Sequence, residues 1–560
     1  MMRSRVAHLR VRLLVVLLVL LVSGVARSRV RAQGPSGDAP PVFTPADYAR
    51  AESFLAPALT GLVIGGTVTP TWLPDDRFTY RSTTAEGSRF LLVDPAKRTQ
   101  TPAFNHARLA ATLTAATGRN YTERELPFQT IELSPDGTTV SFDLGTRRWS
   151  CDVQGTKCAA TGDARIAQRE SRRTATADRV RVGADVAVQT SPDGKHTVFI
   201  RNWNLWLREA DTNRERLLTT DGVMNFGYAT DNAGWRASSR AIVLWSPDSK
   251  KIATFQQDER KVGEMSLVDA RVGHPVLKTW KYPLPGDETV AMLQRVIINV
   301  DTAEVVRLRM PPDYHRATLE DDFSVTDMKW SPDSSRLAFV STSRDHKEAV
   351  LRVADAATGS VRTVFDEKVA TQFESRTGWH VLWPANEVVW YSQRDNWGQL
   401  YLYDLTTGKL KNQITTGEGP VSEITRIDEK DRTLWFGAMG REKGQDPYFT
   451  HYYRIGMDGR DYVALTPGNG DHEIQLSPSG RFLVDTYSRC DAEPVVELRD
   501  AEGNLVMPLA KADISRLLAA GWKPPIPIIV KADDGKTDLY GMMFRPTRFD
   551  PSKKYPIINY

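Results

Sequence analysis

Proton carriers are present in this sequence, but no nucleophile is set beside them. Nine histidines occur, and His196, His274, His315, His346, His380, His451 and His472 each lack an adjacent serine or cysteine. They read as surface or hydrogen-bonding residues. Carboxylates stand together at Asp75-Asp76, Asp258-Glu259, Glu320-Asp321-Asp322 and Asp533-Asp534, mostly in turns or at strand ends, where solvated charge is the ordinary role. Nucleophilic hydrolysis of the Gly-x-Ser-x-Gly kind finds no site, since Gly34-Pro35-Ser36-Gly37 departs from that pattern. There is no Gly-rich phosphate loop, no His-Glu-x-x-His and no Cys/His ligand spacing, so the sequence implies neither a metal nor a cofactor.

Cysteine chemistry is confined to one place. Cys151-Asp152-Val153-Gln154-Gly155-Thr156-Lys157-Cys158 reads as a hairpin with Gln154-Gly155 as its two-residue loop, which sets Cys151 opposite Cys158. Opposed strand residues lie roughly 5 Å apart at Cα, within disulfide reach. Two readings stay open: a disulfide in an oxidising compartment, or two thiols that face each other. Cys490 reads as a buried apolar residue.

The elements that must position these groups repeat. Leu244-Trp245-Ser246-Pro247-Asp248-Ser249-Lys250-Lys251-Ile252-Ala253-Thr254-Phe255 spells strand, tight turn, strand, because Pro presets φ and Asp and Ser bond the turn backbone. Copies begin at Trp330, Leu133, Thr190 and Leu476, with weaker ones at Trp72, Trp383 and Ile427. The steps between markers are 61, 57, 55, 85, 53, 44 and 49 residues. A period near fifty in a strand-and-turn text means a radial array, one marker per blade. The expected fold is therefore all-β, an eight-bladed β-propeller, with the long step marking an insertion within or after the fourth blade, at residues 260–302.

Residues 1–32 read as a targeting segment: Arg3, Arg5, Arg10 and Arg12 precede an apolar core from Leu13 to Val22, and Val30-Arg31-Ala32 forms a cleavage site. Ten apolar residues are short for a bilayer span of about 20. Export is the first expectation, to the periplasm or outside the cell, and an uncleaved amino-terminal anchor is the alternative. The leader holds seven arginines and no acidic residue, so its removal takes the formal charge from +4 to −3. Basicity thus belongs to the leader, and no nucleic-acid partner follows from it.

Residues 33–68 read as a linker and a helix from Thr44 to Leu55, with Thr44 as N-cap and Pro45 in the first turn. Residues 69–510 read as propeller strands and turns throughout. Residues 511–560 change character: a helix from Ala512 to Gly521, an apolar run from Ile526 to Val530, a strand from Leu539 to Arg545, and a buried strand opening at Lys553-Lys554-Tyr555-Pro556-Ile557-Ile558-Asn559-Tyr560.

In this order the features resemble the serine peptidases of the prolyl oligopeptidase superfamily, dipeptidyl peptidase IV branch. The resemblance is carried by the eight markers and by Trp245-Ser246-Pro247-Asp248-Ser249-Lys250-Lys251-Ile252-Ala253 followed by Asp258-Glu259-Arg260. It extends to Thr377-Gly378-Trp379 and to Phe549-Asp550-Pro551-Ser552-Lys553-Lys554-Tyr555-Pro556. It implies that residues 511–560 are the first strands of a truncated α/β-hydrolase domain, and that the catalytic Ser, Asp and His lie beyond residue 560. The parent protein would be a peptidase acting through an acyl-enzyme on short peptides, a homodimer when complete. This chain alone would be inactive. In that family two adjacent glutamates hold the substrate's free amine. The matching stretch, Asn225 to Trp235, has no glutamate, and Asp231 is its one candidate carboxylate. Dipeptide release is less firmly implied for that reason. The rival from another class is a propeller that serves as a binding scaffold in the cell envelope.

Overall fold

A repeated turn builds this molecule. In the computed structural model, which describes residues 43–55, 59–163, 189–230, 241–270, 272–314, 327–373, 378–546 and 549–560, each Ser-Pro-Asp turn closes the same way. The serine hydroxyl donates to the Asp side chain two residues on, at 2.5–2.6 Å in the turns of Ser134, Ser191, Ser246 and Ser331. That Asp accepts a backbone N–H further along the turn, from Thr138, Lys195, Lys250 and Ser335. The fourth turn position is left-handed in seven turns: Asp76, Gly137, Gly194, Ser249, Ser334, Asn386 and Gly480 have φ between 56° and 75°. Glycine adopts this backbone freely, and Asp, Asn and Ser tolerate it through local hydrogen bonds.

Between these turns the chain forms eight antiparallel sheets in sequence order, at residues 71–102, 132–163, 189–217, 226–314, 328–368, 379–413, 421–464 and 471–511. Seven are four-stranded meanders. The fourth is six-stranded, because Phe226–Tyr228 and Leu244–Trp245 both pair with Lys251–Asp258, and Asp313–Tyr314 adds to Met292–Asn299. Each marker residue sits at or beside the end of the strand that leads into its turn, which is the sheet's first strand in every blade but the fourth. This is an eight-bladed β-propeller.

Apolar clusters fill seven of the eight joints. The seam between the last sheet and the first holds Val484, Val496, Leu498 and Leu509 against Phe78, Tyr80 and Val93. Among the described residues the joint between the second and third sheets has no such cluster. Tryptophans and tyrosines sit in these joints as expected for packing residues; Trp390, Tyr401 and Tyr403 lie between the fifth and sixth sheets.

Several expectations are corrected. Residues 69–510 are not strand throughout: helix α1 (Pro45–Glu52) is followed by α2 (His106–Thr117), set between the first and second sheets. Asn105 caps α2 by accepting the N–H of Arg108, and Gly118 ends it at φ 70°. Its Leu109, Ala110 and Leu113 fill the joint between those sheets. The fourth-blade insertion is narrower than 260–302. Only the hairpin of Glu264–Asp269 and Val276–Lys281 leaves the blade, and Met292–Asn299 is the blade's own strand.

The helix expected from Ala512 shrinks to α3 (Ser515–Ala519), because Asp513 is extended and exchanges both backbone bonds with Ile64, at 2.8 and 3.0 Å. Ile526–Lys531 and Asp538–Met543 form a hairpin. Residues 553–560 form no strand, since no neighbour supplies a ladder, and Ile557 and Ile558 are 94% and 91% exposed. Cys490 is a half-exposed free thiol. Cys151 and Cys158 face each other in register and are disulfide-bonded, with Cα atoms 4.2 Å apart. Helix α1 has its predicted start: Asp47 accepts the backbone N–H and the hydroxyl of Thr44, at 3.0 and 2.8 Å. No described helix is long and apolar enough to cross a membrane.

Candidate substrate-facing rim

In a meander blade the loops joining strands two to three, and those leading to the next blade, emerge at one end of the ring. That end carries the candidate site. Asp231 and Glu320-Asp321-Asp322 lie outside the described residues, as does the leader. What precedes Asp231 is described, and it is held tightly.

Asn204 is the hub. Its side chain donates to the carbonyls of Gly222 and Asn202 at 2.9 and 3.1 Å, and accepts from the Gly222 N–H and the Thr219 hydroxyl at 2.9 and 3.0 Å. Gly222 has no space for a side chain, because a Cβ there would stand 2.2 Å from the Trp203 carbonyl oxygen. Val223 and Phe226 exchange both backbone bonds, at 3.1 and 2.9 Å, and so close a turn with Met224 and Asn225 at its tip. Tyr228 and Glu259 donate their N–H groups to the carbonyls of Trp203 and Asn225.

Charges around this turn are already paired. The Arg260 guanidinium grips Asp258 at 2.9 and 2.8 Å and lies 4.0 Å over the Phe226 ring. Asp221 accepts from the Tyr228 hydroxyl at 2.7 Å and from Arg307 at 3.0 Å. Burial, and then that acceptor, push the Tyr228 hydroxyl well above the usual phenol range. No acidic side chain lies between Gly222 and Thr230. Ala229 and Thr230 are buried, and the Thr230 hydroxyl and Gln257 amide have no hydrogen-bond partner among the described residues.

Among the described residues the histidines build no catalytic pair. His472 turns Nδ1 toward Asp485 at 2.7 Å, which is triad-like, but its Nε2 faces the Gly468 carbonyl at 2.9 Å instead of a nucleophile. Arg499 also donates to Asp485, at 2.9 Å, so the group is a buried ion network. His106 accepts the Phe90 N–H through Nε2 at 2.9 Å, and burial pulls it below the ordinary imidazole range. Burial, with Lys329 nearby, lowers His380 to about 4. No group of metal-ligating side chains occurs among the described residues.

Sequence reasoning reached Asn225 and Asp258-Glu259-Arg260 but missed the turn at 223–226 and Trp203. Asn202-Trp203, both left-handed at φ 49° and 62°, was the available signal for a tight two-residue hairpin.

Comparison with known proteins agrees with the ring. Residues 156–494 match the family model described as the dipeptidyl peptidase IV (DPP IV) N-terminal region. The chain is 24% identical over 406 residues to "Probable dipeptidyl-aminopeptidase B" of Neosartorya fischeri, covering 66% of this chain and 42% of that protein. It is 22% identical over 417 residues to the protein of the same name from Emericella nidulans, covering 66% and 43%. The chain thus spans less than half the length of these relatives. The crystal structure of Porphyromonas gingivalis dipeptidyl peptidase 4 superposes with a TM-score of 0.56 at 18% identity, over 93% of this chain and 69% of that one.

Proposed function

Since the chain belongs to the dipeptidyl peptidase IV N-terminal-region family, we propose that it is the substrate-admitting propeller of an exported serine-type peptidase. The ring admits short peptides to a hydrolase half, and the acyl-enzyme chemistry belongs to that half. Residues 1–32 direct export, and the Cys151–Cys158 disulfide suits an oxidising compartment.

One observation carries the reading. The hairpin of residues 526–543 leaves Ile529, Val530, Leu539 and Met542 exposed. A lone two-stranded hairpin with so much apolar surface is marginal in water, so it suits the opening of a larger sheet. On this reading residues 511–560 begin an α/β-hydrolase domain, and the nucleophile lies outside this chain, which is inactive by itself. The stretch from Asn225 to Trp235 carries no glutamate, so on this reading Asp231 is its carboxylate to meet a free amine at the substrate's start.

The test is to treat the product of the complete reading frame, and this 560-residue chain, with a fluorophosphonate probe and with fluorogenic dipeptide and tetrapeptide amides. The longer product is expected to take the label and cleave peptides, and the shorter chain to do neither. Labelling of the shorter chain, or no labelling of the longer one, refutes the assignment.

A further inference from the structure

We propose that the turn at residues 223–226, with Trp203 beside it, is an apolar subsite that receives a side chain of the peptide substrate. The proposal rests on the peptidase reading above and adds to it what the ring recognises. Val223 and Met224 are 53% and 59% exposed and Trp203 36%. Exposed apolar residues taken singly need no explanation, but these are held rigidly.

The Asn204 side chain fixes the leading end of the turn at Gly222, the Glu259 N–H holds the Asn225 carbonyl at the other end, and Gly222 seats against the Trp203 carbonyl. Trp203, Asn225 and Ala229 are all left-handed, at φ 62°, 61° and 52°. Asparagine visits this backbone readily, but Trp203 and Ala229 keep it only where the surroundings enforce it. Surrounding bonds therefore over-determine a strained backbone in order to present an apolar tip, which is the arrangement expected of a preorganised recognition surface.

Position and charge select the occupant. The turn leads from the third blade to the fourth, so it emerges at the same end of the ring as the loop carrying Tyr448 between the second and third strands of the seventh blade. There Tyr448 meets Tyr540 of the hairpin, edge to face at 6.4 Å. The subsite thus opens toward the end where the hydrolase half would stand. Asp221, Asp258, Arg260 and Arg307 are paired among themselves, so none of these four charges is offered to a ligand there. An uncharged aliphatic or aromatic side chain on an extended peptide fits that chemistry.

The experiment compares the complete gene product with its Val223→Ser/Met224→Ser variant on two matched fluorogenic peptide series, one with leucine and one with glycine at the leading positions. The ratio of kcat/KM for leucine over glycine peptides is expected to fall about tenfold, through KM. A ratio is insensitive to any loss of folded enzyme. An unchanged ratio in an active enzyme overturns the subsite alone. A variant that instead changes oligomeric state or melting, with the ratio intact, makes the turn a structural contact and overturns it too. If the unaltered enzyme cleaves no peptide, the peptidase reading falls and takes the subsite with it.

Discussion

At the fourth position of each repeated turn, three non-glycine residues do more than tolerate a left-handed backbone. The Ser249 hydroxyl accepts the N–H of Asp193 in the preceding blade, and the Ser334 hydroxyl that of Asp248, at 3.2 and 3.3 Å. Asp76 does the same across the seam, accepting the Ser479 N–H at 3.0 Å and its hydroxyl at 2.5 Å, while Arg481 donates at 2.8 Å. Each clasp thus runs from one blade to the turn before it. Burial opposes the Asp76 charge, but those donors outweigh it and hold the carboxyl below the usual range. A buried, fully bonded carboxylate leaves unpaired donors when removed, so Asp76→Ala is expected to cost about 3 kcal/mol. Asp76→Gly loses the same clasp but relieves φ 67°, so it is expected to cost about 1 kcal/mol less. Urea titration of the two variants measures the difference; equal losses would mean the backbone there is unstrained. The sequence announced the turn at Pro74-Asp75-Asp76 but not the clasp, because its partner lies 403 residues away.

Helix α2 and the disulfide hairpin form one unit of secondary structure. Thr112 donates its hydroxyl to the Gly155 carbonyl at 2.6 Å, Asn105 donates its N–H to Val153 at 2.8 Å, and a Cβ on Gly155 would stand 2.5 Å from the Leu109 nitrogen. The disulfide closes the loop against which the helix rests. Replacing both cysteines by serine is expected to cost about 2–3 kcal/mol from loop entropy, read as a lower Tm that no longer responds to reductant. An unchanged Tm would mean that the helix contacts alone hold the loop. The pairing of Cys151 with Cys158 was legible because a hairpin fixes register locally. The helix was also available, in Asn105 before an Ala/Leu run and Gly118 after it, but a strand-rich context masked it. The strand expected at residues 553–560 failed for the opposite reason: its apolar pattern is real, but a strand exists only against a partner. The turns set the acid limit of these elements. The Ser331 and Ser335 hydroxyls pull the Asp333 carboxyl down to about 2. A depressed folded value means that its stabilisation is complete above the unfolded value of about 3.9 and is lost as pH falls toward 2. Melting curves between pH 5 and 2 are expected to fall less steeply for Ser331→Ala than for the unaltered chain; parallel curves would show that other carboxylates govern acid unfolding.

Ring closure is a property of the whole molecule. Every other joint is also crossed by the chain, but the seam joins residues over 400 positions apart, such as Tyr80 and Leu509, by non-covalent contacts alone. Its strength lies in burial: Phe78, Val93, Val496 and Leu498 are fully buried there, each worth about 1.5–3 kcal/mol, against about 1 kcal/mol for a single clasp bond. The clasps therefore set register and the cluster supplies adhesion. The seam also brings the ring's two ends together, since Ile64 and Asp513 are already backbone-paired. A circular permutant of residues 64–513 that joins those ends by a short Gly/Ser linker, and opens the chain between the exposed Ala370 and Thr371 that connect the fifth and sixth blades, trades one covalent joint for another. Loop-closure cost changes by only about 0.6 kcal/mol per doubling of loop length, so the trade is nearly neutral. Native-like circular dichroism and a cooperative melt within a few degrees of the unpermuted ring are expected. A permutant that fails to fold, while the unpermuted 64–513 ring does fold, would show that the seam requires the native chain order and that its non-covalent contacts do not suffice to close the ring.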